Sequence, residues 1–410
     1  MNVEWFIARR LLLKGNNGKS VVLPIVRIAV VGIALGVCVM LLSLFVIVGF
    51  KQEITGKLSG FVSHLNIVPY ASYDSSEETC VRDAASLVAE FQGMVGVTNV
   101  YGYIEKPSIL KSETEIHGVV MKGVDSTCNT SFFQQHLQEG RMPDFGGNKT
   151  SNDILISRTV ATMLGVSVGD NILAYFVQEP PRVRKLNVVG IYNTGFKEYD
   201  DVMALIDIRH LARLNGWQPG EVSGVAMNVK DMRDVEMYQD AVYDVLDAKG
   251  MSYLVKTFKD EAPQIFDWLA LLNMNVWVIL ILIITVAGVN MVSGLLILIL
   301  DKTPLIGMLK ALGCRNVSLR RLFLYIAGRL MFKGLLWGNV LAFLLAGIQV
   351  CFQVIRLDPA TYYMDAVPLD FNLWYVFLLD VGVMALIVLI LIVPTMLISR
   401  ISPVKAIHFE

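Results

Sequence analysis

The sequence predicts a membrane α-helical protein: four transmembrane helices with both termini on the cytoplasmic side, plus one large extracytoplasmic α/β domain carrying a β-rich insertion. Three observations predict it. The 410 residues are 54% apolar and only 17% charged, more hydrophobic than a water-soluble fold of this size requires. The excess is clustered, because residues 28–50, 268–300 and 334–355 contain no Asp, Glu, Lys or Arg and 371–399 contains only Asp380. Each run can cross a hydrocarbon core of about 30 Å. The flanking Lys and Arg are one-sided: Arg9, Arg10, Lys14 and Lys19 lie in 1–24, seven basic residues in 301–333 and two in 400–410, against Arg356 alone in 356–370. Excess positive charge marks cytoplasmic loops, so 51–267 falls outside.

In order along the chain, residues 1–24 read as a cytoplasmic interfacial helix and linker, since Val3–Lys14 mixes aromatic, aliphatic and basic residues. Gly15–Ser20 ends in the Gly-Lys-Ser of a phosphate loop, but the motif's first glycine would fall on Leu13 and no strand precedes it, which excludes nucleotide binding there. The first span is 25–50. It reads as a retained anchor, because its apolar run is too long for a signal peptide and Gly49–Glu53 offers no small-residue cleavage site. The second span, 268–300, is 33 residues and would measure roughly 50 Å, so its helix should continue into solution. After the cytoplasmic segment 301–333 come a third span at 334–355, a short outer loop at 356–370, a fourth span at 371–399 and a cytoplasmic tail at 400–410.

The two ends of segment 51–267 match. A strand at His64–Pro69, a helix near 77–92 and a strand near 97–106 are answered by a strand at Gly224–Val229, a helix with Val235, Tyr238, Val242, Val245 and Leu246 on one face, and a strand at Tyr253–Phe258. The economical reading is one α/β subdomain built from 51–109 and 220–267, interrupted by a β-rich insertion at 110–219. Within the insertion, Val177, Gln178, Glu179, Pro180, Pro181 and Arg182 form a proline hairpin at 176–184. It is either a rigid projection or an ordinary loop whose prolines discourage edge pairing.

No metal-ligand cluster, nucleophile elbow, redox Cys-x-x-Cys or phosphate loop occurs, so no catalytic residue is assigned and the chain alone reads as a non-enzyme. Of the five cysteines only Cys80 and Cys128 fall in the extracytoplasmic domain, since Cys38 and Cys351 lie in spans and Cys314 is cytoplasmic, and sequence cannot establish that the two are near enough to pair. Asp380 is a candidate for function because it is ionisable inside a span, yet it lacks a second intramembrane carboxylate, which favours a structural or cavity-facing hydrogen bond. Small residues at close-approach spacing, Gly32 and Gly36 in the first span and Gly334 and Gly338 in the third, suit packing within one subunit or across a dimer. Gly32, Gly36, Met40, Ser43, Asn290, Ser293 and Asp380 are the candidate packing and substrate-cavity residues, with Asn290 and Ser293 read as interhelical hydrogen-bonding groups.

The sharpest signal is cytoplasmic. In Asp301–Gly313 a short helix is punctuated at both ends: Thr303 can cap it, Pro304 suits its first turn and Gly313 its left-handed terminator. Leu305, Ile306, Met308, Leu309 and Leu312 give it an apolar surface, rimmed by Lys302 and Lys310. That surface needs a partner, either lipid headgroups or a protein groove.

This element resembles the coupling helix of the FtsX-like, MacB-type permeases of ATP-binding cassette systems, through Asp301, Lys302, Ile306, Gly307, Leu309, Lys310, Ala311 and Gly313. The closing Ser402–Glu410 is similar to that family's tail. Three passages resemble the lipoprotein-releasing permeases within it: Gly32–Gly36 leading to Val48–Glu53, Val188–Tyr192 leading to Glu198-Tyr199-Asp200, and Tyr362–Pro368. The resemblance implies a MacB-like periplasmic core domain in the bacterial inner membrane of a Gram-negative cell. It implies a separate cytoplasmic ATPase dimer that binds ATP and Mg, with no cofactor on this chain, and makes Thr303–Gly313 the element that docks into the ATPase. It also implies a second permease in a homodimer or heterodimer, a lipoprotein substrate held between the first and second spans, membrane lipid contacts, and a periplasmic carrier reached through the proline hairpin. The competing client is an efflux or cell-wall-hydrolase partner driven by the same mechanical machine.

Overall fold

The computed structural model describes residues 22–70, 79–147, 150–178, 180–364 and 366–396. The N-terminal interfacial segment and the closing tail lie outside the described residues. In chain order, leaving short helical turns unlabelled, the helices are α1 (Val22–Val62), α2 (Ala84–Gln92), α3 (Arg158–Leu164), α4 (Ile208–Asn215), α5 (Val235–Ala248), α6 (Pro263–Asp301), α7 (Thr303–Ala311), α8 (Asn316–Phe352) and α9 (Leu373–Thr395). The strands are β1 (Leu65–Pro69), β2 (Val97–Lys111), β3 (Ile116–Val124), β4 (Leu137–Gly140), β5 (Asp153–Ser157), β6 (Asn171–Phe176), β7 (Arg182–Tyr192), β8 (Met203–Asp207), β9 (Gly224–Val229) and β10 (Tyr253–Thr257). The chain divides into two units, one drawn from 1–51, 268–356 and 366–410, the other from 52–267 and 357–365.

The first unit holds the helices long and apolar enough to cross a membrane, α1, α6, α8 and α9. Its core joins Ile33, Val37, Met40, Leu41 and Phe45 of α1 to Ala327, Met331, Leu335, Ala342 and Ala346 of α8. Glycine sets the approach of these two helices. A Cβ on Gly334 would stand 2.6 Å from Ile33 Cγ2, and one on Gly338 would stand 2.7 Å from the Ala34 carbonyl oxygen. Gly32 and Gly36 face α6 instead, toward Asn290 and Ile283. Both glycine pairs therefore serve packing within this chain. In contrast, α6 presents a long exposed apolar face that includes Trp277, Val278, Ile281, Leu282 and Val289.

The helix of the first span runs on past residue 50 to Val62, because Ile54, Leu58 and Phe61 recur at helical spacing and are all buried. Gly60 permits that burial, since a Cβ there would lie 2.4 Å from the Phe132 ring.

In the second unit the strand order is β10-β1-β9-β2-β3-β8-β5-β7-β4, with β6 pairing both β2 and β7. The long β2 serves two sheets: Val97–Tyr103 pairs with β9, and Ile104–Lys111 pairs with β3. The insertion therefore branches from within β2, between Tyr103 and Ile104, ahead of the expected boundary at residue 110. Because β6 bridges β2 and β7, the strands β2, β3, β8, β5, β7 and β6 close on themselves as a small barrel. Closure removes the exposed edges that an open insertion would leave.

The end of α1 is buried in this unit, so its last carbonyls need partners. Lys122, reaching from β3, donates to the Phe61 oxygen at 2.7 Å, and Asn66 Nδ2 donates to the Val62 oxygen at 2.8 Å. The Lys122 ammonium also lies 4.9 Å from the centre of the Tyr103 ring. Ser63 then takes a left-handed φ of 66°, with its hydroxyl 2.9 Å from that of Tyr101. His64 follows: its Nδ1 accepts the Val229 N–H at 2.8 Å and its carbonyl accepts the Phe258 N–H at 3.1 Å. The next strand, β1, pairs antiparallel with β10 from Leu65↔Thr257 to Pro69↔Tyr253. The strand that leaves α1 and the strand that leads to α6 are thus neighbours in one sheet.

Burial lowers the His64 pKa to about 4, so the folded state holds a neutral ring whose Nδ1 can accept the Val229 N–H. The unfolded chain binds that proton near pH 6.5, so this stability is present above pH 6.5 and is lost as pH falls toward 4. In thermal unfolding of the detergent-solubilised chain, His64→Phe should flatten the part of the pH dependence that lies between those values.

Candidate functional site

The helix α7 is entered through Lys302, whose side chain makes no capping bond, and Thr303 is its first helical residue. The expected cap is therefore corrected: the Thr303 hydroxyl donates back to the Ile299 carbonyl at 3.1 Å, tying α7 to the last turn of α6. The C-terminus is a Schellman motif. Gly313 has φ +89°, its N–H reaches the Lys310 oxygen at 3.0 Å, and the Cys314 N–H reaches the Leu309 oxygen at 2.9 Å.

The apolar surface of α7 is divided, another correction. Ile306 is 1% exposed, and with Leu309 it packs on the core of the membrane-helix unit; Gly307 is also buried. Met308 at 57% and Leu312 at 79% exposure, with Pro304 one turn earlier, make an outward stripe at i, i+4 and i+8. Leu305, Lys310 and Leu309 are half-buried beside it, and Ala311 is exposed. The outward surface of α7 is accordingly Pro304, Met308, Ala311 and Leu312.

The passages singled out in sequence meet at two places. In the membrane-helix unit, a Cβ on Gly49 would stand 2.6 Å from the Pro368 carbonyl oxygen, while the Asp370 N–H donates to the Phe45 oxygen at 3.2 Å. Only glycine lets the loop before α9 lie this close to α1. In the domain, Tyr363 holds a positive φ of 62° that a bulky residue adopts only under constraint. Three contacts constrain it: its hydroxyl donates to Glu198 at 2.8 Å, its ring meets Phe196 edge-on at 4.9 Å, and its carbonyl accepts from Lys57 Nζ at 2.9 Å. Burial and the adjacent Glu198 push the Tyr363 phenol up to about 12. Phe61, one turn beyond Lys57, stacks on Tyr199 at 4.9 Å. Asp200 is buried and accepts from the Thr194 hydroxyl at 2.8 Å and its N–H at 3.1 Å; burial nevertheless raises its pKa.

The proline hairpin joins β6 to β7, with Phe176 paired to Arg182, so Val177–Pro181 is the loop and Arg182 already belongs to the strand. Val177 is exposed and Glu179 lies outside the described residues. Among the span candidates, Met40 is fully buried in the helix core and Ser43 half-buried. Ser293 does not bond across helices: its hydroxyl donates to Val289 of its own helix at 3.0 Å. Asn290 faces Gly32. The interhelical polar pair is Asp380 with Asn339, whose Nδ2 donates to the carboxylate at 2.9 Å and also to the Leu335 oxygen at 2.8 Å. Asn339 was missed in sequence, although an amide in the middle of an apolar span is a signal for such a pairing. Cys80 and Cys128 are both free thiols, and burial pushes the Cys128 thiol up to about 11. Among the described residues no His, Cys, Asp and Glu cluster could hold a metal ion.

The family model for the MacB-like periplasmic core domain matches residues 28–245, and that for the FtsX-like permease C-terminal region matches 277–403. The chain belongs to the FtsX-like ABC transporter permeases. It is 26% identical over 403 residues to the lipoprotein-releasing system transmembrane protein LolC of Xylella fastidiosa strain Temecula1, covering 93% of each chain. It is 26% identical to LolC of Neisseria meningitidis and 22% identical to LolE of Haemophilus influenzae, in each case over 99% of both chains. Among solved structures, the periplasmic region of MacB from Actinobacillus actinomycetemcomitans aligns with 52% of this chain and 98% of that one, at 10% identity and TM-score 0.36. As a permease of this family, the chain is a multi-pass membrane subunit.

The contrast between Gly49 and Gly56 tests the loop contact. Gly49→Val must displace the Pro368 carbonyl and should cost roughly 1–3 kcal/mol, whereas Gly56→Ala, with open space around its Cβ, should be neutral or stabilise by up to about 1 kcal/mol. Thermal midpoints of the two variants in detergent check both outcomes.

Proposed function

We propose that this chain is the permease subunit of a transporter that extracts lipoproteins from the outer leaflet of the bacterial inner membrane and hands them to a periplasmic carrier. The observation that carries the reading is the full-length likeness to permeases named for lipoprotein release, joined to an exposed Pro304–Met308–Leu312 stripe. Both termini are cytoplasmic and the α/β domain is periplasmic, in keeping with the Lys and Arg flanks. A separate ATPase dimer supplies ATP and Mg chemistry, and this chain contributes no ATP site.

In this cycle the stripe on α7 sits in a groove of the ATPase, and the buried Ile306 with the half-buried Thr303 transmits its displacement to the membrane helices. ATP-driven closure of two ATPases brings two permeases together through their α6 faces. The substrate's acyl chains stay in hydrocarbon throughout, so no polar channel across the bilayer is needed, which suits spans with almost no charge. The Val177–Arg182 hairpin is offered to the carrier.

Met308→Asp combined with Leu312→Asp should abolish co-purification of the ATPase, because a charge buried without a partner in the groove costs several kcal/mol. The thermal midpoint should hold, since both side chains are exposed. Normal co-purification would overturn the docking role. Acylated proteins should also accompany the complex purified from native membranes; their absence would favour the efflux or cell-wall client.

Orientation is checked independently by Cys314, just before α8, and Cys351, near its far end. With the other cysteines replaced by Ser, an impermeant maleimide applied to right-side-out spheroplasts should label Cys351 and spare Cys314. The reverse pattern would invert the topology.

A further inference from the structure

Beside the glycine-lined crossing of α1 and α8 lies a cleft of about 570 Å³, within the about 300–1,000 Å³ typical of ligand cavities. Arg27 of α1 and Arg329 and Lys333 of α8 line one end of it. The other end is apolar, walled by Val31, Ala34 and Leu35 of α1 and by Trp337 and Leu341 of α8. The arrangement follows from sequence spacing. Residues 329, 333, 337 and 341 recur every four positions and share a face of α8, and 27, 31 and 35 do the same on α1. From Lys333 to Leu341 the apolar wall runs about 12 Å along the helix, at about 1.5 Å per residue.

A single cation at the end of a span is an ordinary topology signal. Three cations from two helices converging on one apolar cleft are a different matter. None of the three lies within ion-pair distance of a carboxylate among the described residues. The cleft thus offers uncompensated positive charge at the headgroup level and hydrocarbon below it, with an exposed Trp337 beside the boundary where indole rings settle. An anionic phospholipid matches both halves at once, its phosphate among the cations and one acyl chain along the α1–α8 groove.

We propose that this cleft is a binding site for an anionic phospholipid of the cytoplasmic leaflet. The leaflet assignment rests on the topology proposed above; the affinity for the headgroup does not. The site is also distinct from the outer-leaflet substrate path, so a resident lipid here would brace the α1–α8 pair and not travel with the cargo.

The test uses the full-length chain in phosphatidylcholine vesicles, with either phosphatidylglycerol or phosphatidylcholine carrying brominated acyl chains in both leaflets. Trp337 emission is taken as the component that Trp337→Phe removes. Brominated phosphatidylglycerol should reach half-quenching at a mole fraction at least about fivefold lower than brominated phosphatidylcholine, the effect of one Lys or Arg near an anionic headgroup. Arg329→Gln with Lys333→Gln should erase most of that preference, and Arg27→Gln, from the other helix, should reduce it. Equal quenching by the two lipids, or a preference unchanged in these variants, would overturn the proposal. So would the absence of quenching by either lipid, which would mean that another protein segment covers the cleft. Because both leaflets carry the probe, an inverted topology would leave the preference intact and would be read separately from Cys314 and Cys351 labelling.

Discussion

A helix that ends inside a folded domain leaves its last carbonyls without water, and the way this protein satisfies them governs how α1 joins the sheet. Lys122 and Asn66 take up the Phe61 and Val62 oxygens, Ser63 turns the chain, and His64 fixes the start of β1 against β9 and the residue after β10. A buried ammonium facing helix carbonyls is favourable both as hydrogen bond and as charge against the helix dipole. The last turn of α1 is thereby fixed within the domain. Since β1 pairs along its whole length with β10, the connections to α1 and α6 are held in one register.

In the membrane-helix unit the corresponding constraint is the absence of side chains. Gly334 and Gly338 let α8 meet α1 at distances that any Cβ would forbid, and Gly49 does the same for the loop ahead of α9. Lipid provides no hydrophobic drive for helices to associate, so close packing and interhelical polar pairs such as the half-buried Asn339 with Asp380 must supply it. By contrast α6 keeps a long apolar face exposed, the face through which the proposed cycle brings two permeases together. The proposed cycle uses these differences in order: α7 is fastened to the membrane helices through Thr303 and Ile306, while Met308 and Leu312 remain outward for the ATPase.

The four long apolar helices were legible because uncharged runs of twenty or more residues leave few alternatives, and the Schellman end of α7 because Gly313 is the residue that a left-handed terminator requires. The matched strand-helix-strand ends of the domain were legible from periodicity. The length of α1 was not: Lys51, Gln52 and Glu53 look like a membrane exit, and only the burial of Ile54, Leu58 and Phe61 against distant residues shows why the helix continues. Barrel closure was hidden as well, since pairing of β6 with both β2 and β7 is a long-range choice. On α7, the sequence shows which residues are apolar but not which are spent on the protein's own core; Ile306 and Leu309 turn inward and Met308 outward. The Asp380 partner was hidden for a similar reason, because Asn339 lies 41 residues away in another helix.

Whether β1 and β10 stay paired through the proposed cycle is tested most directly by locking them together. Val68 and Leu254 are register partners across β1 and β10, so Val68→Cys with Leu254→Cys, in a background lacking Cys80 and Cys128, should form a disulfide without displacing either strand. Reconstituted with its ATPase, a lipoprotein-loaded membrane and the carrier, the oxidised protein should release lipoprotein at the rate of its reduced form. Release that stops on oxidation and returns on reduction would show that the strands part during the cycle, and would contradict the account.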